Sequence, residues 1–282
     1  MNSICILTDS TAQFTKPSFP GRNIVHVVSL NVTLDSQVIP DDQELKVGDL
    51  PISAHRVPPH LHIPGVDEFR DLYVKLAEDY RTIVAILVSS SLCAAVDNAQ
   101  RAADLVRGRV NVQVIDSQST SVGLGFLVQM AAEAVENRAP VVEVERLVRG
   151  VVPHIYSVYC IPGLSFLSNA GFIDHSQALV GEMLGIMPIF SFEEGRLSPL
   201  EKARNSRHLV DFFQEFIDEF SDLYHISLIQ SIPALQHEGK ALRDHALANF
   251  PRTPFSEHPI NLSLAALIGP RSIGVIAIEI PE

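Results

Sequence analysis

The sequence predicts an α/β protein of two domains, an N-terminal Rossmann-like parallel-sheet domain followed by a C-terminal α+β sandwich. Three observations carry this. Residues 83–88 are a short, almost purely apolar run rich in β-branched residues, as in a strand buried on both faces of a parallel sheet, and residues 110–115 read as the next buried strand. Each is followed by a cluster of hydroxyl side chains and then by apolar residues at helical spacing. Beyond about residue 155 the order changes to strands separated by helices or tight turns. A chain of 282 residues also exceeds most single cores. The expected division is 1–160 for the first domain and 161–282 for the second.

The elements justify themselves in order. Residues 3–7 read as a strand that ends in Thr8, Asp9, Ser10 and Thr11, where the Asp and Ser suit a cap. Residues 24–32 are again β-rich. Residues 35–66 read as irregular, with five prolines (40, 51, 58, 59, 64) and His55, His60 and His62. A loop of that length is functional or disordered. Residues 67–79 have helical spacing through Phe69, Leu72, Tyr73 and Leu76, with Asp67 and Glu68 suited to the first turn. The strand at 83–88 passes through Ser89, Ser90 and Ser91 into a helix at 92–106 whose apolar side carries Leu92, Val96, Ala99, Ala103 and Val106. The strand at 110–115 ends in Asp116 and the polar run to Ser121. A near-continuous apolar helix follows at 123–135, with Gly123 and Gly125 open to close backbone approach. An amphipathic helix follows at 141–151.

The second half reads as a strand at 155–161 and short helices at 164–172 and 177–184. Strands at 187–192 and 196–200 flank a hairpin turn at Glu194-Gly195. A helix at 206–220, a strand at 225–230 and a helix at 234–249 come next, then strands at 260–267 and 274–279.

Composition excludes several classes of function. A net charge of −12 disfavours nucleic acid as a partner, since phosphate neutralisation needs a basic face. It leaves room for a local basic patch at Arg101, Arg107 and Arg109. Cys5, Cys93 and Cys160 are odd in number and far apart, which argues against a zinc site or a disulfide framework. Neither a signal peptide nor a membrane-length apolar run is evident, so the expectation is a cytoplasmic protein without stable membrane insertion. His55, His60 and His62 gather with Asp67 and Glu68, and a solvated loop is preferred there to a metal site. No GxGxxG or GxxxxGK[ST] motif is present, and no cofactor is expected.

What remains is a set of hydroxyl-lined strand ends beside much apolar surface. Backbone N–H groups and hydroxyls at such a turn suit an acid head group, and an apolar tail adds about 0.8 kcal/mol per buried CH₂. The bland alternative is that these Ser and Thr residues are ordinary caps. A functional alternative is a small-molecule hydrolase or transferase using Ser90 or Cys93 with His62. The absence of a GxSxG elbow weighs against it, as does the usual role of a free cysteine as a small buried residue.

Several segments together resemble the DegV family of fatty-acid-binding proteins: ILTDST at 6–11, VVSLNV at 27–32, HIPGVDEF at 62–69, SSSLCAAVDNAQRA at 89–102 and IDSQSTSVGLG at 115–125. In the second half, LSFLSNAGFI at 164–173, LGIMPIFSFEEGRLSPLEKAR at 184–204 and IGPRSIGVI at 268–276 continue the resemblance. It implies two domains with a lipid site at their interface, a bound long-chain fatty acid and no independent turnover. It further implies presentation of the fatty acid to a partner fatty acid kinase.

The sequence departs from the family pattern at the head-group positions. Leu61 and His62 stand where the family has Thr-Ser, Cys93 where it has Ser, and Ala94 and Ala95 where it has Gly and Thr. Phe172 stands where the family has Arg, and Leu267 and Ile268 where it has His-Thr. Two expectations follow. In one, Ser90, Ser91, His62 and the N–H groups of Cys93 and Ala94 hold a carboxylate, with the imidazole of His62 able to replace a hydroxyl contact with a charged one. In the other, the pocket lined by Phe172, Leu267 and Ile268 takes a less acidic lipid and kinase transfer is lost. Arg204 keeps the place of a family Arg linked with kinase docking, with Asn205 replacing the neighbouring Gly.

Overall fold

The computed structural model describes residues 4–34, 37–39, 47–55 and 59–279. It divides into two units, each discontinuous in sequence: residues 1–30, 62–153 and 194–196 form the first, and residues 31–61, 154–193 and 197–282 the second. The expected boundary at 160/161 therefore differs from the observed partition in three places, one of them residues 194–196, which group with the first unit. Residues 154–160 join the second unit because their strand pairs there on both edges, and residues 31–61 join it because they build a small sheet of their own.

The first unit holds a four-stranded sheet of β1 (Ile4–Asp9), β2 (Val25–Val28), β6 (Thr82–Leu87) and β7 (Asn111–Asp116) in the order β2-β1-β6-β7. Every pairing is parallel. β1 is buried along its whole length and β6 from its second residue on, which is why both read as continuous apolar runs rather than alternating ones. The helices are α1 (Val66–Leu76), α2 (Ala95–Leu105), α3 (Ser121–Glu136) and α4 (Val141–Val151). α3 is the most apolar and most buried of these four, and its Gly125 passes so close to Gln13 that an added Cβ would lie 2.0 Å from the Gln13 carbonyl oxygen. The chain leaves β1 for β2 on one side and later returns to β6 on the other. The carboxyl ends of β1 and β6 thus form the topological switch point where open α/β sheets bind ligands.

The second unit contains a small antiparallel sheet in the order β4-β3-β5, made of β3 (Val32–Leu34), β4 (Gln37–Ile39) and β5 (His60–Leu61). The stretch expected to be irregular thus holds strands; its residues 35–36, 40–46 and 56–58 lie outside the described ones. The main sheet has six strands: β8 (Ile155–Cys160), β9 (Met187–Glu193), β10 (Arg196–Ala203), β11 (His225–Gln230), β12 (Phe255–Pro259) and β13 (Ile273–Ile278). They run in the order β10-β9-β8-β13-β11-β12. α5 (Leu164–Asn169), α6 (His175–Met183), α7 (Ser206–Asp218), α8 (Gln236–Asn249) and α9 (Leu262–Ile268) complete the unit. The core joins Leu209, Phe213 and Ile217 of α7 and Leu242 and Ala246 of α8 to Val158, Leu228 and Val275 of the sheet.

The strand expected at 260–267 is the helix α9 instead. Asn261 caps it by accepting the Leu264 N–H at 2.9 Å, and the run is apolar all round, a pattern that fits a buried helix as well as a strand. The edge strand in that region is β12, whose residues FSEHP carry too little apolar alternation to be read as one.

Candidate functional site

The switch point of the first unit is stitched by one carboxylate. Asp9, fully buried at the end of β1, accepts the Thr11 N–H (3.0 Å) and hydroxyl (2.6 Å) on Oδ1 and the Val88 N–H (2.6 Å) on Oδ2. The ends of β1 and β6 are therefore held in register beyond their last ladder bonds. The neighbouring Thr8 and Thr120 hydroxyls are buried without a hydrogen-bond partner.

The serine turn follows directly. Ser89 donates its N–H to the Ser119 carbonyl (3.0 Å) and its hydroxyl to the Gly195 carbonyl (2.8 Å). The Ser91 hydroxyl donates to the same Gly195 oxygen. Ser90 faces the other way: its hydroxyl donates to Asp116 Oδ2 at 2.5 Å, and its N–H lies 3.3 Å from both Asp116 oxygens. Asp116 Oδ1 also accepts the Gln118 N–H at 2.9 Å. Gly195 (φ +77°) belongs to the turn between β9 and β10, whose tip groups with the first unit. A Cβ there would sit 2.7 Å from Ser89 Oγ and 3.2 Å from Gln118 Cβ, so only glycine lets the carbonyl reach the serines.

Cys93 is half-buried just before α2, and its thiol is pushed up to about 12. Burial is the main cause, and the carboxylates of Asp9 and Asp116 add to it against the opposing Ala95 N–H bond. The expected nucleophile is therefore a protonated thiol. His62 is exposed, with Nε2 at 3.3 Å from Glu68 Oε1. Glu68 also accepts the Gly65 N–H at 2.7 Å, and that bond first, then His62, holds its carboxyl below the usual range. Among the described residues no histidine hydrogen-bonds to Ser90 or Cys93, so the hydrolase or transferase arrangement of Ser90 or Cys93 with His62 is not assembled. The His62 segment does approach α2, through the Asn98 side-chain N–H to the Pro64 carbonyl at 2.9 Å.

The structure thus brings Ser90, Ser91, Cys93 and Ala94 onto one turn, with the 62–65 segment tied to the helix that follows. The other expected site residues belong to the second unit. Leu61 lies on β5, which packs against α9, and α9 carries the buried Leu267 and Ile268. α5 also packs on α9, and Phe172, half-buried just beyond α5, donates its N–H to the Leu167 carbonyl at 2.8 Å. β5, with Leu61, and α5, which Phe172 follows, thus both pack on α9. Arg204 is exposed between β10 and α7, with its N–H 3.3 Å from His208 Nδ1, while Asn205 caps α7.

Sequence reasoning missed the Gly195 carbonyl as the acceptor shared by two serines, because a contact between positions 89 and 195 leaves no local mark. It also missed a polar cluster in the second unit. Glu182 of α6 accepts the Ser53 hydroxyl (2.9 Å) and the Ser165 N–H (2.6 Å), and the Ser165 hydroxyl accepts the Ala54 N–H (2.8 Å). His55 Nε2 lies 3.1 Å from Glu182 Oε2, at ion-pair distance but out of line for a hydrogen bond. His55, expected on a solvated loop, is mostly buried here and meets the His175 ring edge-to-face at 5.2 Å between centroids. Among the described residues no group of His, Cys, Asp and Glu could hold a metal ion, and no helix is long and apolar enough to cross a membrane.

Residues 3–279 match the model of the DegV family, described as uncharacterised proteins. A DegV domain-containing protein of Staphylococcus aureus is 28% identical over 228 residues, 78% of each chain. Two solved structures share the fold. One is the fatty acid binding DegV family protein of Streptococcus agalactiae, with TM-score 0.84 and 18% identity, covering 99% of both chains. The other is the fatty acid kinase (Fak) B3 protein of Streptococcus pneumoniae loaded with linoleic acid, with TM-score 0.81 and 18% identity, covering 98% of this chain and 99% of that one.

Proposed function

The chain belongs to the DegV family, and from that premise we propose that it binds a long-chain fatty acid or a related lipid and has no turnover of its own. The observation that supports this reading is the match of the whole fold to a protein described as fatty acid binding and to one loaded with linoleic acid, together with a serine turn at the topological switch point of this chain's own sheet. The lipid head group contacts Ser90, Ser91, His62 and the N–H groups of Cys93 and Ala94, where Leu61 also contributes. The tail contacts Phe172, Leu267 and Ile268. The raised ionisation of the buried Cys93 thiol and the pairing of Ser90 with Asp116 support a binding role over a catalytic one. Where a fatty acid kinase is present it is the partner that receives the lipid, and Arg204 lies on the docking face. The protein works in the cytoplasm.

A less acidic lipid is the second reading. It is favoured by the Asp116 carboxylate at the turn, which repels a second anion. Mass spectrometry of a denatured extract of the purified protein tests both. The expected result is a stoichiometric long-chain lipid, a free fatty acid under the first reading and an uncharged one under the second. Delipidated protein that carries no lipid and takes up neither palmitate nor monopalmitoylglycerol would overturn the proposal.

A further inference from the structure

The first unit carries a second concave surface at the opposite end of its sheet. Arg81 precedes β6 and Arg109 precedes β7, and these strands are parallel neighbours with Thr82 opposite Asn111. The Asn111 N–H donates to the Arg81 carbonyl at 3.1 Å, so the two strand entries are fastened together. Gly108, in the left-handed region at φ +85°, turns the chain between Arg107 and Arg109. The result is a groove of about 740 Å³ whose wall includes Arg81, Arg107, Arg109, Tyr80, Gln100 and Asn111. Six residues of β6 separate it from the serine turn, about 20 Å at the usual rise per residue.

Its charge runs against the rest of the molecule. The chain has a net charge of −12, yet three arginines line this groove. Arg107 is paired with Asp104 at 2.7 Å. Among the described residues Arg81 and Arg109 form no ion pair, so one acid stands against three bases. Neutral donors complete the wall: the Asn111 side-chain oxygen is taken by the Gln113 amide at 3.2 Å, which leaves the Asn111 NH₂ to donate. The Tyr80 ring is held at 5.3 Å from His26, edge-to-face, with its hydroxyl 3.2 Å from His26 Nε2. Guanidinium forks arranged with amide donors match the several oxygens and double charge of a phosphate group better than one planar carboxylate.

We propose that this groove is a binding site for a phosphate-bearing anion, separate from the serine turn, with Arg81 and Arg109 as its direct ligands. Arg107 joins them when it leaves Asp104. The phosphate comes either from a soluble phosphate ester or from an anionic lipid head group, and the test separates these sources. Pyrophosphate is titrated calorimetrically into the full chain at low ionic strength, and cosedimentation is measured with phosphatidic acid vesicles and with phosphatidylcholine vesicles. The site predicts saturable binding that weakens as salt is raised. It predicts at least tenfold weaker binding in R81A/R109A, with an unchanged melting temperature, and tighter binding in D104N, where Arg107 is freed. Pyrophosphate binding assigns the soluble source. Cosedimentation with phosphatidic acid alone, with no pyrophosphate heat, assigns the lipid source. Failure to bind either probe, or binding that R81A/R109A leaves unchanged, overturns the proposal.

Discussion

Asp9 Oδ2 accepts the Val88 N–H at 2.6 Å, tying the carboxyl ends of β1 and β6 at the point where the sheet reverses its winding. The carboxylate is fully buried and also takes both donors of Thr11. Hydrogen bonds to a charged group each contribute about 1.5–3 kcal/mol, and a buried donor left unpaired adds its own penalty. Asp9→Ala is therefore expected to cost about 3 kcal/mol or more, read as a lower urea midpoint, and Asp9→Asn less, since one acceptor oxygen remains. An alanine variant with an unchanged midpoint would remove Asp9 from this role.

Much of this is legible in the sequence because burial on both faces of a sheet leaves an apolar run. β6 stands out for that reason, while β7, at the sheet edge, alternates Val with Asn and Gln and is only partly buried; the hydroxyl-rich turns after both follow from the strand-to-helix pattern. α9 was not legible as a helix: LSLAALI is buried all round, so its periodicity cannot separate helix from strand. β12 was missed for the opposite reason, since its residues are only partly buried and two of its five are charged or imidazole side chains. The turn that carries Ser90, Ser91 and Cys93 was legible from local order. Their partners depend on contacts far apart in sequence: Asp116 lies 26 residues from Ser90, and Gly195 lies 104 residues from Ser91. No local pattern encodes those distances.

Cys93 should be a slow thiol. With its ionisation pushed up to about 12, the thiolate fraction at pH 8 is about one in ten thousand. The greater intrinsic nucleophilicity of a basic thiolate recovers part of that loss, leaving a deficit of about a hundredfold against an unfolded cysteine. Iodoacetamide labelling followed by peptide mapping, native against urea-unfolded, measures the ratio. Native labelling as fast as unfolded would contradict the burial that protects the thiol.

The β9–β10 turn predicts a contrast between two glycines that share a left-handed backbone. At Gly108 an added Cβ meets nothing within 4 Å, so Gly108→Ala should cost only the backbone strain, about 1 kcal/mol. At Gly195 the same atom would press on Ser89 Oγ at 2.7 Å and Gln118 Cβ at 3.2 Å. It would also push the carbonyl away from Ser89 and Ser91. Gly195→Ala should therefore cost about 2–3 kcal/mol. Equal urea midpoints for the two variants would show that the turn is free to move off the serines.

Glu182 gives the acid limb of the stability profile a specific source. Burial alone would raise its carboxyl, but the Ser165 and Ser53 hydrogen bonds and the nearby His55 outweigh it and hold the group below its ordinary value of 4.5. A carboxylate depressed in the folded state contributes stability that is complete above the unfolded value and is lost as pH falls through the folded one. Wild type should therefore be more stable than Glu182→Gln above about pH 5. Below pH 4.5 the gap should close, because protonation makes the native side chain a neutral group like the amide. Urea midpoints of both proteins from pH 3 to pH 7 measure this directly. A gap that widens on acidification would mean that the Ser53, Ser165 and His55 contacts favour the protonated acid rather than the carboxylate.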